Sequence, residues 1–396
     1  MRFASAMISG FILLHLSANA AEFADSVRHI SWDEKTRVKI APLSADGRHA
    51  DYARMVLLKN GELLCVYGQD GSVMSSKSRD TGRTWQPSVR IAAKTATANM
   101  VVPDILQLKD GSILVSYNPR PVNGHKEKPD AGVRFAIRTK KSYDNGQSWT
   151  DERLIYEAQE KFKDGCWEPA QIQLPDGEIQ LFFSNEGIYT HSDEQDISLF
   201  RSADGGKAWT KKPQILSFRR NSRDGMPAPL ILQNGEIVFS IEDLEEPGKK
   251  AFKPAIIRTM LKNAWRNTPV SGDSKDRNFA LKTPLPDAVY AGAPYIRQLS
   301  TGETILSYQS TEGRGTNDMD KSARMMVAVG NSSARDFAGQ SDPFRIPEGV
   351  SGLWNSLCVL PDDTIIALTS TRAYSPSGQM EVWMIKGRLQ HTTNEK

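Results

Sequence analysis

Sulfur and imidazole are scarce in this 396-residue chain: it has three cysteines, Cys65, Cys166 and Cys358, and six histidines. An odd number of widely separated cysteines excludes a disulfide framework. The absence of a Cys-x-x-Cys pair and the scatter of the histidines leave no zinc-type ligand set, so we expect no metal and no cofactor. Cys65 and Cys358 stand in apolar runs and read as buried thiols. Cys166 has no histidine close in sequence to activate it. An excess of one charge is also missing: 50 Lys and Arg face 47 Asp and Glu, a net +3 that provides no general field for nucleic acid or a membrane surface. No long amphipathic helix and no Ser/Pro-rich linker interrupt the chain. The apolar run Met7 to Leu16 is too short to span a bilayer. Preceded by Arg2 and followed by Ala18-Asn19-Ala20, it predicts a signal peptide over residues 1–20 and a mature chain, residues 21–396, that is periplasmic or secreted.

What the chain has is a repeat. An apolar run, a tight turn and a second apolar run recur around Gly61, Gly111, Gly177, Gly235, Gly302 and Asp363, at spacings of 50, 66, 58, 67 and 61 residues. Asn-Gly and Asp-Gly between such runs signal two-residue hairpin turns, because both central residues need positive φ. Downstream of the first three hairpins lies a second signature, Ser-x-Asp-x-Gly-x-x-Trp, at Ser78 to Trp85, Ser142 to Trp149 and Ser202 to Trp209. Its Asp can bond the amides of its own turn while its Trp packs back between sheets. Lys262-Asn263-Ala264-Trp265 reads as a decayed fourth copy.

This signature is the Asp box, or bacterial neuraminidase repeat, and over nearly the whole mature chain the sequence resembles the sialidase superfamily of β-propellers. The resemblance implies an all-β, six-bladed β-propeller of four-stranded antiparallel blades forming one domain. Val27 to Pro42 should supply the outer strand that closes the ring beside Glu381 to Ile385. The resemblance also implies that the boxes lie on the blade periphery, away from any chemistry.

In a propeller the two inner strands of each blade bring their far ends to one face around the central channel. Residues about seven to nine before the turn glycine, or six to eight after it, are therefore candidates for one pocket, and Arg120 adjoins that window. They are Arg54 and Tyr67, Asp104, Asn118 and Arg120, Glu168 with its neighbour Trp167, Met226 and Glu242, Tyr295 and Tyr308, and Asn355. Two carboxylates on the same rim of adjacent blades suit glycoside hydrolysis, one protonating the leaving oxygen and one attacking or activating water. Glu168, between Trp167 and Pro169, reads as the acid/base because apolar neighbours raise a carboxyl pKa. Glu242 reads as its partner, and Asp243 beside it should point the other way. Aromatic, Arg and Asn side chains around the pair suit a saccharide.

The pieces Trp167-Glu168-Pro169, Gly225-Met226-Pro227 leading to Ile241-Glu242, and Ala293-Pro294-Tyr295 leading to Tyr308 resemble glycoside hydrolase family 93, the exo-arabinanases. That implies Glu168 and Glu242 as the pair of a retaining exo-hydrolysis of arabinan. An exo-sialidase would need three arginines and a tyrosine nucleophile. Arg54 stands where the first arginine would, and Tyr308 beside Glu242 is the candidate nucleophile. A non-catalytic sugar-binding propeller is the third reading. Each expects an oligo- or polysaccharide as partner and a monomeric chain.

Overall fold

In a computed structural model the protein is described over residues 27–42, 48–126, 132–244, 251–266 and 268–392. The proposed signal peptide lies outside the described residues. Six four-stranded antiparallel sheets follow one another along the chain. Their innermost strands are Ala50–Leu57, Ala98–Gln107, Cys166–Gln173, Asp224–Ile231, Ala291–Gln298 and Gly352–Val359, in blades 1 to 6. Helical structure is confined to the turns Phe162–Asp164 and Met319–Ser322 among the described residues. Val27–Ala41 is the outer strand of blade 6 and pairs with Glu381–Thr392 in the order expected from sequence, Lys39 facing Trp383 and Val38 facing Met384. First and last segments thus share one sheet, which closes the ring and leaves only the outer edges of the blades unpaired.

The three Asp boxes do what their residues suggest. Asp80, Asp144 and Asp204 accept backbone N–H bonds from Thr84, Ser148 and Ala208 at 2.9, 2.9 and 2.8 Å. Trp85, Trp149 and Trp209 pack against the apolar layers between blades. Trp265 of the decayed copy is fully buried between blades 3 and 4, its indole N–H donating to Gln180 at 3.2 Å. All four turns join third to fourth strands, at the blade periphery. The three cysteines are free and buried, with burial pushing each thiol up.

The channel is built from a feature that the turn pattern alone does not announce. Nine residues before each turn residue, the inner strand carries a bulge with positive φ: Tyr52 at 53°, Val102 at 53°, Glu168 at 45°, Met226 at 52°, Ala293 at 47° and Trp354 at 52°. Ladder register shifts at this point in every blade. A bulge twists a strand and re-aims one side chain. Val102 shows how strongly the conformation is imposed, since a β-branched residue at positive φ is a genuine outlier. Six such residues ring the channel mouth, and Glu168 is the only acid among them.

Candidate functional site

Glu168, Tyr52, Trp354, Val102, Arg120 and His125 line a cavity of about 280 Å³ at the mouth. Glu168 is enclosed on the blade-2 side by Arg120, whose guanidinium lies 3.3 Å from its Oε1 and 4.7 Å above the Trp167 ring. Asn118, fully buried, holds that guanidinium in place by accepting from its Nε at 2.7 Å and donating to the Ala136 carbonyl. Trp167 is a wall and not an exposed platform. It packs on Phe135 and Phe162, with ring centroids 4.8 and 4.6 Å away, and donates its indole N–H to Glu186. Burial raises the Glu168 carboxyl to about 7, against Arg120, and the nearby Glu242 charge adds to the rise.

Glu242 is the next-to-last residue of the second strand of blade 4, Glu236–Asp243, opposite Gly225. Its Oε2 accepts the Ala293 backbone N–H of blade 5 at 2.9 Å. Two glycines make room for the carboxylate: a Cβ on Gly225 would meet Oε1 at 3.0 Å, and one on Gly292 would meet Oε2 at 2.6 Å. Burial raises this carboxyl as well, opposed by the Ala293 amide and the Arg223 charge. Ser184 and Met226 connect the two acids across the blade seam. Ser184 donates to Glu168 and accepts the Met226 N–H at 2.9 Å, and Met226 adjoins Gly225. Asp243 turns away from the channel, as alternation requires.

Arg54, Asp104 and Tyr295 come together one layer down, as a floor. Arg54 is sandwiched between the Tyr52 and Tyr295 rings, 4.0 and 4.9 Å from their centroids, and donates to the carbonyls of Ala53 and Trp354. Arg297 covers the Tyr295 ring at 4.3 Å. Asp104 accepts the Gln171 N–H at 2.9 Å, and burial lifts it to about 6 against the Arg54 and Arg297 charges. Asp104 and Tyr295 face a separate bore of about 310 Å³ on the other side of this plug. Met226 is half-buried on the rim.

Three placements read from sequence are corrected. Tyr308 is fully buried among Ile256, Leu306, Met326 and Phe337 between blades, not beside Glu242. Tyr67 is equally buried and bonded to Ser88 at 2.6 Å. Both stand six residues after the turn, and on a strand residues six and seven after it face opposite sides. Asn355 is buried beneath the rim, and its neighbour Trp354 takes the mouth position. The tyrosine that does approach Glu242 is Tyr290, which accepts from Gln309 at 2.9 Å and whose hydroxyl would lie 2.3 Å from a Cβ on Gly292. Glu186, bonded to Arg223 and raised by burial to about 7, is a third buried acid at the seam. Arg223, Glu186 and Tyr290 lie beyond the strand ends and carry no periodic signal. Trp354 and Tyr52 were detectable by their nine-residue distance from the turn.

Residues 124–277 match the family model of the BNR repeat-like domain. Solved structures align over almost the whole chain. The fold is that of the sialidase-like BNR propellers. A Dyadobacter fermentans protein of unknown function superposes with a TM-score of 0.67 at 16% identity, covering 92% of this chain and 100% of its own. An alpha-L-arabinofuranosidase from Fusarium graminearum, in complex with an iminosugar inhibitor, gives 0.65 at 17% identity, covering 91% and 98%. The NanB sialidase from Streptococcus pneumoniae gives 0.58 at 12% identity, covering 89% of this chain and 70% of that one. Comparison with curated proteins found no match. The chain therefore shares its architecture with glycoside hydrolases at identities that speak to fold alone. No group of His, Cys, Asp and Glu that could hold a metal ion occurs among the described residues.

Proposed function

We propose that the protein is an exported, exo-acting glycoside hydrolase that cleaves terminal sugars from a glycan, with arabinan the preferred candidate. The observation that carries this reading is a pair of buried glutamates on adjacent blades, each in a different environment: Glu168 lines the mouth cavity, and Glu242 lies near enough for its charge to raise the Glu168 carboxyl. Glu168, lifted to about 7, is protonated at mildly acidic pH and donates to the leaving glycosidic oxygen. Glu242, steadied as a carboxylate by the Ala293 amide and the Arg223 charge, attacks the anomeric carbon as the C–O bond breaks. Glu168, now ionised, then takes a proton from the water that hydrolyses the glycosyl ester. The Arg54–Tyr52–Tyr295 stack beneath the mouth supports exo action, since a site blocked below suits a chain end better than a running chain. The Fusarium alpha-L-arabinofuranosidase, similar in fold, supports a furanoside as the first sugar to try.

The test is product analysis with the wild-type protein on linear arabinan and a panel of aryl glycosides. Short products released from chain ends with retained anomeric configuration, read by proton NMR in the first minutes, are expected. Absence of turnover on every glycan would sink the hydrolase reading, and inversion would remove the nucleophile role of Glu242.

A further inference from the structure

Immediately beside Glu242, blade 4 contains a buried ion cluster. Asp224 and Asp243 face each other across the two inner strands, one register step from the Gly225–Glu242 pair. Like charges directly opposite on neighbouring strands repel. Two arginines from outside the hairpin hold them together. Arg277, on the short outer strand Arg277–Phe279, places one Nη 2.5 Å from Asp224 and 2.5 Å from Asp243, and its other Nη 2.9 Å from Asp224. Arg219 reaches Asp243 and lies 3.4 Å from Asp224. Both Asp side chains are 1% exposed and Arg277 is 4% exposed.

The propeller does not require this arrangement. At the same register the other five blades pair Ala50 with Gln69, Met100 with Pro119, Cys166 with Asn185, Ala291 with Ser310 and Gly352 with Thr371, all uncharged. The cluster occurs where the neighbouring pair carries Glu242. Because Asp243 adjoins Glu242 and points the opposite way, fixing its carboxylate in a two-arginine fork fixes the backbone from which Glu242 projects. A guanidinium fork imposes direction as well as charge, and buried ion pairs are best attested as devices that set register.

We infer that the Asp224–Asp243–Arg219–Arg277 cluster is a positioning clamp that sets the Glu242 carboxylate against the Ala293 amide and the channel mouth. As a role in catalysis the clamp rests on the hydrolase reading; as a geometric device it does not. Arg277→Lys preserves the charge but cannot fork onto both carboxylates, so it separates position from electrostatics. The expected result is a kcat reduced at least tenfold with KM changed less than twofold, and a Glu242 carboxyl titration moved upward as the Ala293 bond loosens. The titration is followed by carbon-13 NMR and assigned with Glu242→Gln. Asp224→Asn, which is isosteric, serves if Arg277→Lys does not fold. A folded variant with a lowered Tm but unchanged Glu242 titration would reduce the cluster to a stability element and overturn the inference. If the wild-type protein turns over no glycan, the hydrolase reading falls, and the NMR titration still decides the clamp.

Discussion

At the scale of single residues, chemistry is set by what surrounds each carboxylate. Glu168 and Glu242 are both desolvated, yet their partners differ. Glu168 has Arg120 at 3.3 Å and a neighbouring acid, whereas Glu242 accepts a fixed backbone N–H. If Glu168 is the acid, it must hold its proton in the free enzyme, so kcat/KM falls as pH rises through about 7, the value to which burial lifts it. The acidic limb belongs to ionisation of Glu242. In a pH series the variant Arg120→Met should move the basic limb upward, because Arg120 opposes the rise. A limb that stays fixed in this variant assigns it to another group. These environments were only partly legible in the sequence. The apolar flank of Glu168 is visible as Trp167 and Pro169, but Arg120, 48 positions earlier, becomes its neighbour only through the ring.

At the scale of elements, four of the six blade junctions are joined by a side chain at one repeated position. Seven residues after the turn, Ser184, Glu242, Gln309 and Ser370 accept the backbone N–H of Met226, Ala293, Trp354 and Tyr52, each a bulged residue of the next blade. Glu242 is thus a carboxylate at a position that three other blades fill with a neutral acceptor. Glu242→Gln retains the acceptor, as Gln309 does in blade 5, so its Tm should match the wild type within about one degree. Glu242→Ala leaves a buried N–H unpaired, a cost of about 1–3 kcal/mol, and calorimetry should find its Tm lower by several degrees. Equal Tm values for the two variants would show that the bond contributes nothing to the seam. Hairpins were readable because Asn-Gly and Asp-Gly turns name themselves. The side chains that face the channel were harder to read, because the bulge resets the alternation nine residues before each turn. A window of allowed distances therefore admitted Tyr67 and Tyr308, which the strict two-residue period after the turn sends into the core.

For the whole molecule, six repeats closed by Val27–Ala41 on Glu381–Thr392 create a single channel whose mouth gathers residues from every blade. The repeat and the Asp boxes were visible in the sequence as spacing and motif. Arg223, Glu186 and Tyr290, which complete the seam, were not, because they sit past strand ends where no periodicity applies. The central claim is that Glu168 and Glu242 act as a pair on a sugar at that mouth. Its most direct test is steady-state hydrolysis of the best glycan substrate by wild type, Glu168→Gln and Glu242→Gln, with folding of all three confirmed by Tm. Each variant is expected to lose about 10²–10⁴-fold in kcat. A folded Glu242→Gln protein that hydrolyses the glycan at the wild-type rate would contradict that claim.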